Sequence, residues 1–167
     1  MNEPYLFGFT EAKENELKIM LDIYNYYIVN STATFDWDKI TLEEFKNRIF
    51  MNNNKYKTFL IYINNELIGF CFLTRFREKI AYDKTVELGL YLKPQFTGKG
   101  YGKEIVRYME NIARLNQFET IIVSISGENV ASLKLFRKLE YEQCSHYKGI
   151  AMKFGRKIDI IDFQKVI

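Results

Sequence analysis

Cysteine is scarce: the 167-residue chain holds two, Cys71 and Cys144, far apart and without the paired spacing of a zinc site or a disulfide framework. Each lies in an apolar or strand-like stretch, which reads as two buried free thiols in a reducing cytoplasm. Nothing pairs either cysteine with a base and His146 is the only histidine, so a Cys/His or Ser/His nucleophile has little support and His146 reads as structural. No apolar run approaches the ~18 residues of a membrane span, and Met1 to Thr10 lacks the basic flank and apolar run of a secretory signal. Charge of one sign is missing as well. With 24 basic and 21 acidic residues the net charge is +3, short of the footprint of a dedicated nucleic-acid binder. No repeat, low-complexity tract or linker interrupts the chain. Its 47% hydrophobic and 27% charged residues suit one compact domain over residues 1–167.

What is present is periodicity. Leu17, Met20, Leu21, Tyr24, Tyr27 and Ile28 recur at helical steps, predicting a helix over Glu14 to Val29, followed by a loop to Asp38. Thr41 and Glu44 form a capping box, in which each side chain satisfies the other's orphan backbone donor, so a shorter helix follows to about Met51. Thr58 to Ile63 and Leu67 to Phe76 are β-rich, and the Asn64-Asn65 pair between them tolerates the positive φ of a tight hairpin. Val86, Leu88, Leu90 and Leu92 alternate with Glu87, which places the glutamate on the face opposite the leucines. A helical stripe from Ile105 to Asn116, a strand at Thr120 to Ile125, another stripe through Ala131, Leu135 and Leu139, and a last strand at Ile158 to Phe163 complete the pattern. This order implies an α/β fold on a mixed sheet, not a doubly wound parallel one.

Between strand and helix lies Gln95-Phe96-Thr97-Gly98-Lys99-Gly100-Tyr101-Gly102-Lys103. Glycines let backbone amides approach an anion, and a helix start attracts phosphate through its free N–H groups and dipole. Spacing excludes a Walker loop, because Thr97 stands where its first glycine belongs, and a Rossmann loop, because Gly100 and Gly102 are too close together. Taken alone, such a cluster is more often a surface turn before a helix than a phosphate cradle.

Gln95-x-x-Gly98-x-Gly100, after the strand Thr85 to Leu92, resembles the acyl-CoA motif of the GNAT superfamily of N-acetyltransferases. Asn129 to Leu139 resembles that superfamily's second cofactor motif. Ile23-Tyr24-Asn25, Ser31 to Phe35, Arg75 to Glu78, Ala81-Tyr82, Thr85-Val86-Glu87 and Lys153 to Arg156 are similar to its phosphinothricin and methionine sulfoximine acetyltransferase branch. The resemblance implies the GNAT fold, a single mixed and mostly antiparallel sheet with a splayed centre flanked by helices. It also implies acetyl-CoA as co-substrate, a small amino-acid-like amine as acceptor, detoxification and a homodimer.

Carried over residue by residue, it implies that the backbone of Leu90, Tyr91 and Leu92 pairs with pantetheine. The loop Gly98, Lys99, Gly100, Tyr101, Gly102 and Lys103 would hold the pyrophosphate, and Asn129 and Ser132 would lie along the cofactor. Glu87 is the candidate general base for direct transfer, since the attacking amine must lose a proton; its alternative is an exposed strand glutamate. Arg75 and Arg77 alternate on the expected strand and so share a face, as a clamp for a carboxylate or phosphinate or as a solvated basic edge. Phe35 and Tyr82 are candidate pocket walls. No metal site is expected. Two departures stand out: Phe136 replaces the tyrosine that protonates the leaving thiolate in many members, which leaves the general acid unassigned, and Glu140 replaces a helix-ending glycine. Alternative readings are another acceptor, such as a polyamine or a protein N-terminus, or a non-catalytic acyl-CoA-binding regulator.

Overall fold

A computed structural model describes residues 6–51 and 53–167; residues 1–5 of the segment weighed as a signal lie outside these. The elements in chain order are β1 (Phe7–Glu11), α1 (Leu17–Asn30), α2 (Leu42–Lys46), β2 (Thr58–Ile63), β3 (Glu66–Arg75) and β4 (Thr85–Leu92). They continue as α3 (Gly102–Leu115), β5 (Thr120–Ser126), α4 (Val130–Lys138), β6 (Glu142–Gln143), β7 (Tyr147–Lys153) and β8 (Arg156–Val166). Among the described residues the strands form one open eight-stranded sheet in the order β1-β2-β3-β4-β5-β8-β6, with β7 also on β8. Every pairing is antiparallel except β4 with β5. The mixed, mostly antiparallel α/β sheet expected above is therefore what forms. None of the described helices is long and apolar enough to cross a membrane.

Alternation along the strands divides the apolar residues between two faces. Leu73, Val86, Leu88, Ile121, Val123, Ile125, Ile161 and Phe163 pack against Ile105, Val106 and Met109 of α3 and Leu133 and Phe136 of α4. Leu60 and Phe70 pack on the other face against Leu17, Met20, Leu21 and Ile23 of α1 and Phe45 of α2, with Phe72 and Tyr91 beside them. The Asn64-Asn65 turn has φ values of 50° and 67°, as expected for the hairpin. The Thr41–Glu44 box forms, with Thr41 N donating to Glu44 Oε2 at 2.7 Å and Glu44 N to Thr41 Oγ1 at 3.3 Å.

Several expectations need correction. The helix started by Thr41 stops at Lys46 instead of Met51; the chain turns at Asn47 and lays Phe50 on Tyr56, ring centroids 4.5 Å apart. The strands β1, β6 and β7 carry no strong local signal, because they pair at the sheet's edges. Cys71 is buried, but Cys144 is exposed, correcting the expectation of two buried thiols. His146 is exposed and bonded to Asp159 Oδ2 at 2.7 Å. Helix α4 ends without its glycine because Glu140 itself adopts φ 64°.

Candidate active site

The site begins as a failure of pairing. Strand β4 holds β3 along its whole length, from Arg75↔Val86 to Gly69↔Leu92, whereas β5 holds β8 from Thr120 to Ser126. The two strands meet only over Thr85–Glu87 and Thr120–Ile122. Beyond Glu87 they diverge, and a cleft of about 410 Å³ opens between Leu88–Leu92 and Val123–Ser126. On this side β4 has a free strand edge, the geometry that accepts an extended amide-bearing chain as an added strand.

One end of the cleft is the glycine loop, whose glycines act differently. Gly98 and Gly100 have φ 72° and 84°, a left-handed conformation that side chains resist. Gly102, first residue of α3, instead permits a close approach, since a Cβ there would stand 2.7 Å from Leu135 Cδ2 of α4. The unpaired N–H groups and positive dipole of the 14-residue α3 favour an anion at this end. Across the gap, Asn129 caps α4, its Oδ1 accepting from Ser132 N at 3.1 Å, and both residues line the cleft.

The other end is the face of α1. Glu87 is half-buried and lines the cleft together with Phe72, Tyr27, Ala33 and Tyr91. Burial first, and the Asp162 carboxylate second, hold its pKa above the usual carboxylate range. A carboxyl so perturbed in a cleft is a suitable proton acceptor. Gly89, next but one along β4, lets the Phe72 ring cross the strand: a Cβ there would lie 2.2 Å from Phe72 Cζ. Tyr27 donates to Leu92 O at 2.5 Å, tying α1 to the cleft-lining strand; burial pushes its phenol up to about 12.

The segment after α1 is fixed from several directions. Buried Lys153 donates to Thr34 O at 2.6 Å, Tyr24 Oη lies 2.7 Å from Thr34 Oγ1, and Ser126 Oγ donates to Thr32 Oγ1 at 2.8 Å. These bonds seat Ala33 against the cleft.

Of the residues singled out in the sequence, Glu87, Leu90, Tyr91 and Leu92 on β4, Gly98, Gly100, Tyr101 and Gly102 in the loop, and Asn129 and Ser132 at α4 come together in this one cleft. Lys99, within the loop, and Lys103, in the first turn of α3, stay outside the lining, Lys99 resting over the Phe96 ring at 5.2 Å. Phe35, Arg75, Arg77 and Tyr82 do not line it. The shared strand face expected for the arginines does not form, because β3 ends at Arg75 and Arg77 falls in the following loop. Arg75 sits opposite Val86, on the α3 face, with its guanidinium 5.8 Å from the Tyr56 ring, whereas Glu87 faces away. Arg77 lies between the Phe76 and Tyr82 rings, at 4.9 and 5.2 Å. Phe136 lines the cleft and meets Tyr141 edge-on. The sequence reading missed Tyr27, Ala33, Phe72, Ser124 and Ser126; only the alternation of Ser124 and Ser126 with Val123 and Ile125 signalled a polar face there.

A strand splay holding a carboxylate, with a glycine loop feeding a helix at one end, is the arrangement that the sequence resemblance implied. The acetyltransferase (GNAT) family model matches residues 20–141, and the chain belongs to that family of acetyltransferases. Among its relatives, phosphinothricin N-acetyltransferase of Streptomyces coelicolor is 24% identical over 157 residues, covering 91% of each chain. The L-methionine sulfoximine/L-methionine sulfone acetyltransferase of Pseudomonas aeruginosa is 24% identical over 158 residues, covering 92% of this chain and 91% of the relative. The crystal structure of a GNAT superfamily phosphinothricin acetyltransferase from Sinorhizobium meliloti, in complex with acetyl-CoA, superposes with a TM-score of 0.87 at 25% identity. It covers 96% of this chain and 88% of that one.

Proposed function

We propose that the protein transfers the acetyl group of acetyl-CoA directly to the α-amine of a small amino-acid-like acceptor of the phosphinothricin, methionine sulfoximine or methionine sulfone type, with Glu87 as general base. The observation that carries this reading is the position of Glu87, at the point where β4 and β5 part and facing the α1 side of the cleft. The free edge of β4 suits the pantetheine amides, and the Gly98–Gly102 loop at the start of α3 suits the pyrophosphate. Lys99 and Lys103 add positive charge outside the lining. Asn129 and Ser132 flank the cofactor arm.

In the reaction Glu87 takes one proton from the acceptor's ammonium, and the freed amine attacks the thioester carbonyl. The C–N bond forms as the C–S bond breaks, and the second proton shed by the nitrogen goes to the departing thiolate, which leaves as coenzyme A. The raised pKa of Glu87 favours this by making its carboxylate a stronger base. Phe35, Arg77 and Tyr82 stay in the proposal as acceptor-side residues on the strength of the resemblance; Arg75, directed to the α3 face, is left out. The compound class supports a detoxifying role, and two free cysteines support a reducing compartment such as the cytoplasm.

The same resemblance supports a homodimer, and β7 offers its surface. Ile150 and Met152 are 61% and 46% exposed on one side of this edge strand. Phe154, 49% exposed, holds φ 50°, a conformation a bulky residue adopts only under constraint.

The test follows thiol release from acetyl-CoA with phosphinothricin, methionine sulfoximine, ordinary amino acids and spermidine. Phosphinothricin or methionine sulfoximine should react best, and Glu87→Gln should lower kcat/KM by about 10²- to 10⁴-fold, the usual worth of a positioned base. Fastest turnover with spermidine would replace the acceptor assignment, and an unimpaired Glu87→Gln would remove the base.

A further inference from the structure

The strand registers place a second carboxylate on the acceptor side, one that the mechanism above leaves unused. Glu87 pairs with Ile122 across β4–β5, and Ser124 pairs with Asp162 across β5–β8. Register partners point to one side, and Ile122 and Ser124 are two apart on the same strand. Glu87, Ser124 and Asp162 therefore project from a single face. Ser124 lines the cleft with Glu87 and donates its hydroxyl to Asp162 Oδ1 at 2.5 Å.

A serine hydroxyl has one proton to give. With that proton held by Asp162, Ser124 Oγ can offer the cleft only lone pairs, and so selects a hydrogen-bond donor. Among the described residues, no lysine, arginine or histidine forms an ion pair with Glu87 or Asp162. Half-buried carboxylates without a cation are costly until one arrives. An aliphatic amine at neutral pH arrives as an ammonium, which carries both the charge and the donors.

We propose that Ser124 and Asp162 form the docking pair for the acceptor's ammonium group. Ser124 Oγ accepts one N–H, Asp162 fixes that hydroxyl in its accepting orientation and balances the positive charge, and a further N–H is left for Glu87. Ser124 is then the contacting residue and Asp162 the positioning residue. The inference rests on the acetyl-transfer reading and narrows its acceptors to amines that enter protonated, which excludes arylamines.

Other ionisable groups on this face are Tyr91 on β4, Tyr24 and Tyr27 of α1, Asp36 and Lys153 around the loop after α1, and Glu142 of β6 and Tyr147 of β7 opposite the β8 neighbours of Asp162, while Cys144 adjoins Asp162. Thr74 and Ile122, the register partners of Glu87, carry no charge. Asp162 is thus the charged neighbour whose loss Glu87 would register.

The experiment compares wild type, Ser124→Ala and Asp162→Asn. Calorimetry measures binding of phosphinothricin, methionine sulfoximine and aniline to enzyme saturated with coenzyme A, where no acetyl transfer can occur; thiol release is followed against pH. Both variants should bind the aliphatic acceptors about 10-fold more weakly, the worth of one charge-assisted hydrogen bond, with an unchanged KM for acetyl-CoA. The acid limb of kcat/KM should move to lower pH in Asp162→Asn and stay in place in Ser124→Ala. Unchanged acceptor affinity in both variants, or aniline bound as well as the aliphatic amines, overturns the docking pair whatever the acid limb does. Ser124 is exposed, so Ser124→Ala decides the matter even if Asp162→Asn fails to fold. A wild type that binds these amines without acetylating them defeats the transfer reading alone, and the pair is then judged on binding; a wild type that binds none defeats both.

Discussion

Replacing Gly89 with alanine tests whether the acceptor side of the cleft depends on an aromatic ring crossing β4. A Cβ at this position would stand 2.2, 2.5 and 2.7 Å from Phe72 Cζ, Cε1 and Cε2. Carbon atoms rest at about 3.5–4.0 Å, so the ring must withdraw by more than about 1 Å. Its movement is limited on one side, because Phe72 packs against the stacked Phe70–Tyr91 pair at centroid separations of 6.1 and 6.4 Å. Overpacking of this kind costs about 1–3 kcal/mol. For a chain of this length each kcal/mol lowers Tm by about 2–4 °C, giving a drop of about 2–12 °C by scanning calorimetry. The displaced ring borders the cleft beside Glu87, so the KM of the acceptor should rise while that of acetyl-CoA changes little. Gly98→Ala supplies the contrast. Its φ of 72° is strained for alanine, but nothing lies within 4 Å of the added Cβ, so about 1–2 kcal/mol of backbone strain is expected without a packing clash. Combining Gly89→Ala with Phe72→Leu removes the clashing ring atoms and should recover at least half of the lost stability, a coupling expected only of residues in contact. A Gly89→Ala protein that melts with wild type, or a double variant whose losses simply add, would refute the reasoning.

The same physics gives opposite signs for activity and stability at Glu87. Its folded pKa is raised, so between the unfolded value near 4.5 and the folded one the native state binds the extra proton, and stability falls as pH rises through that window. Glu87→Gln should therefore match wild type in Tm near pH 4 and exceed it near pH 7; a variant that loses ground as pH rises would contradict the burial argument. At the sheet edge, Ile150→Lys with Phe154→Lys should turn a dimer into a monomer by sedimentation equilibrium with the fold intact by circular dichroism, and an unchanged mass would clear β7 of the contact.

Local chemistry was legible where a few neighbouring residues decide the backbone. Asn64-Asn65 reads as a tight turn because both residues tolerate positive φ, and the Thr41–Glu44 box reads as a helix start because each partner is three residues from the other. The glycine loop was legible as a phosphate-sized turn, though not the division of labour within it: Gly98 and Gly100 set the backbone, while Gly102 admits Leu135. Glu140 shows the converse, since the helix-ending geometry of a glycine is kept by a residue that pays its steric cost.

What stayed hidden was whatever depends on which strand finds which. The splay arises because β4 follows β3 while β5 follows β8, a competition between segments far apart in the chain. Ser124 and Asp162, 38 positions apart, become partners only through that register. Arg75 and Arg77 are the instructive failure, because two-residue alternation was applied past the end of the strand that enforces it. Thr74 opposite Glu87 and Arg75 opposite Val86 put the acid and the nearer arginine on different faces of one sheet. A slip of one residue in that pairing would turn one strand over against the other, pairing Glu87 with Arg75 or Leu73 and putting acid and arginine on one face. Residue identity supplies the reactive groups here; the β3–β4 and β5–β8 registers decide which of them can meet a substrate.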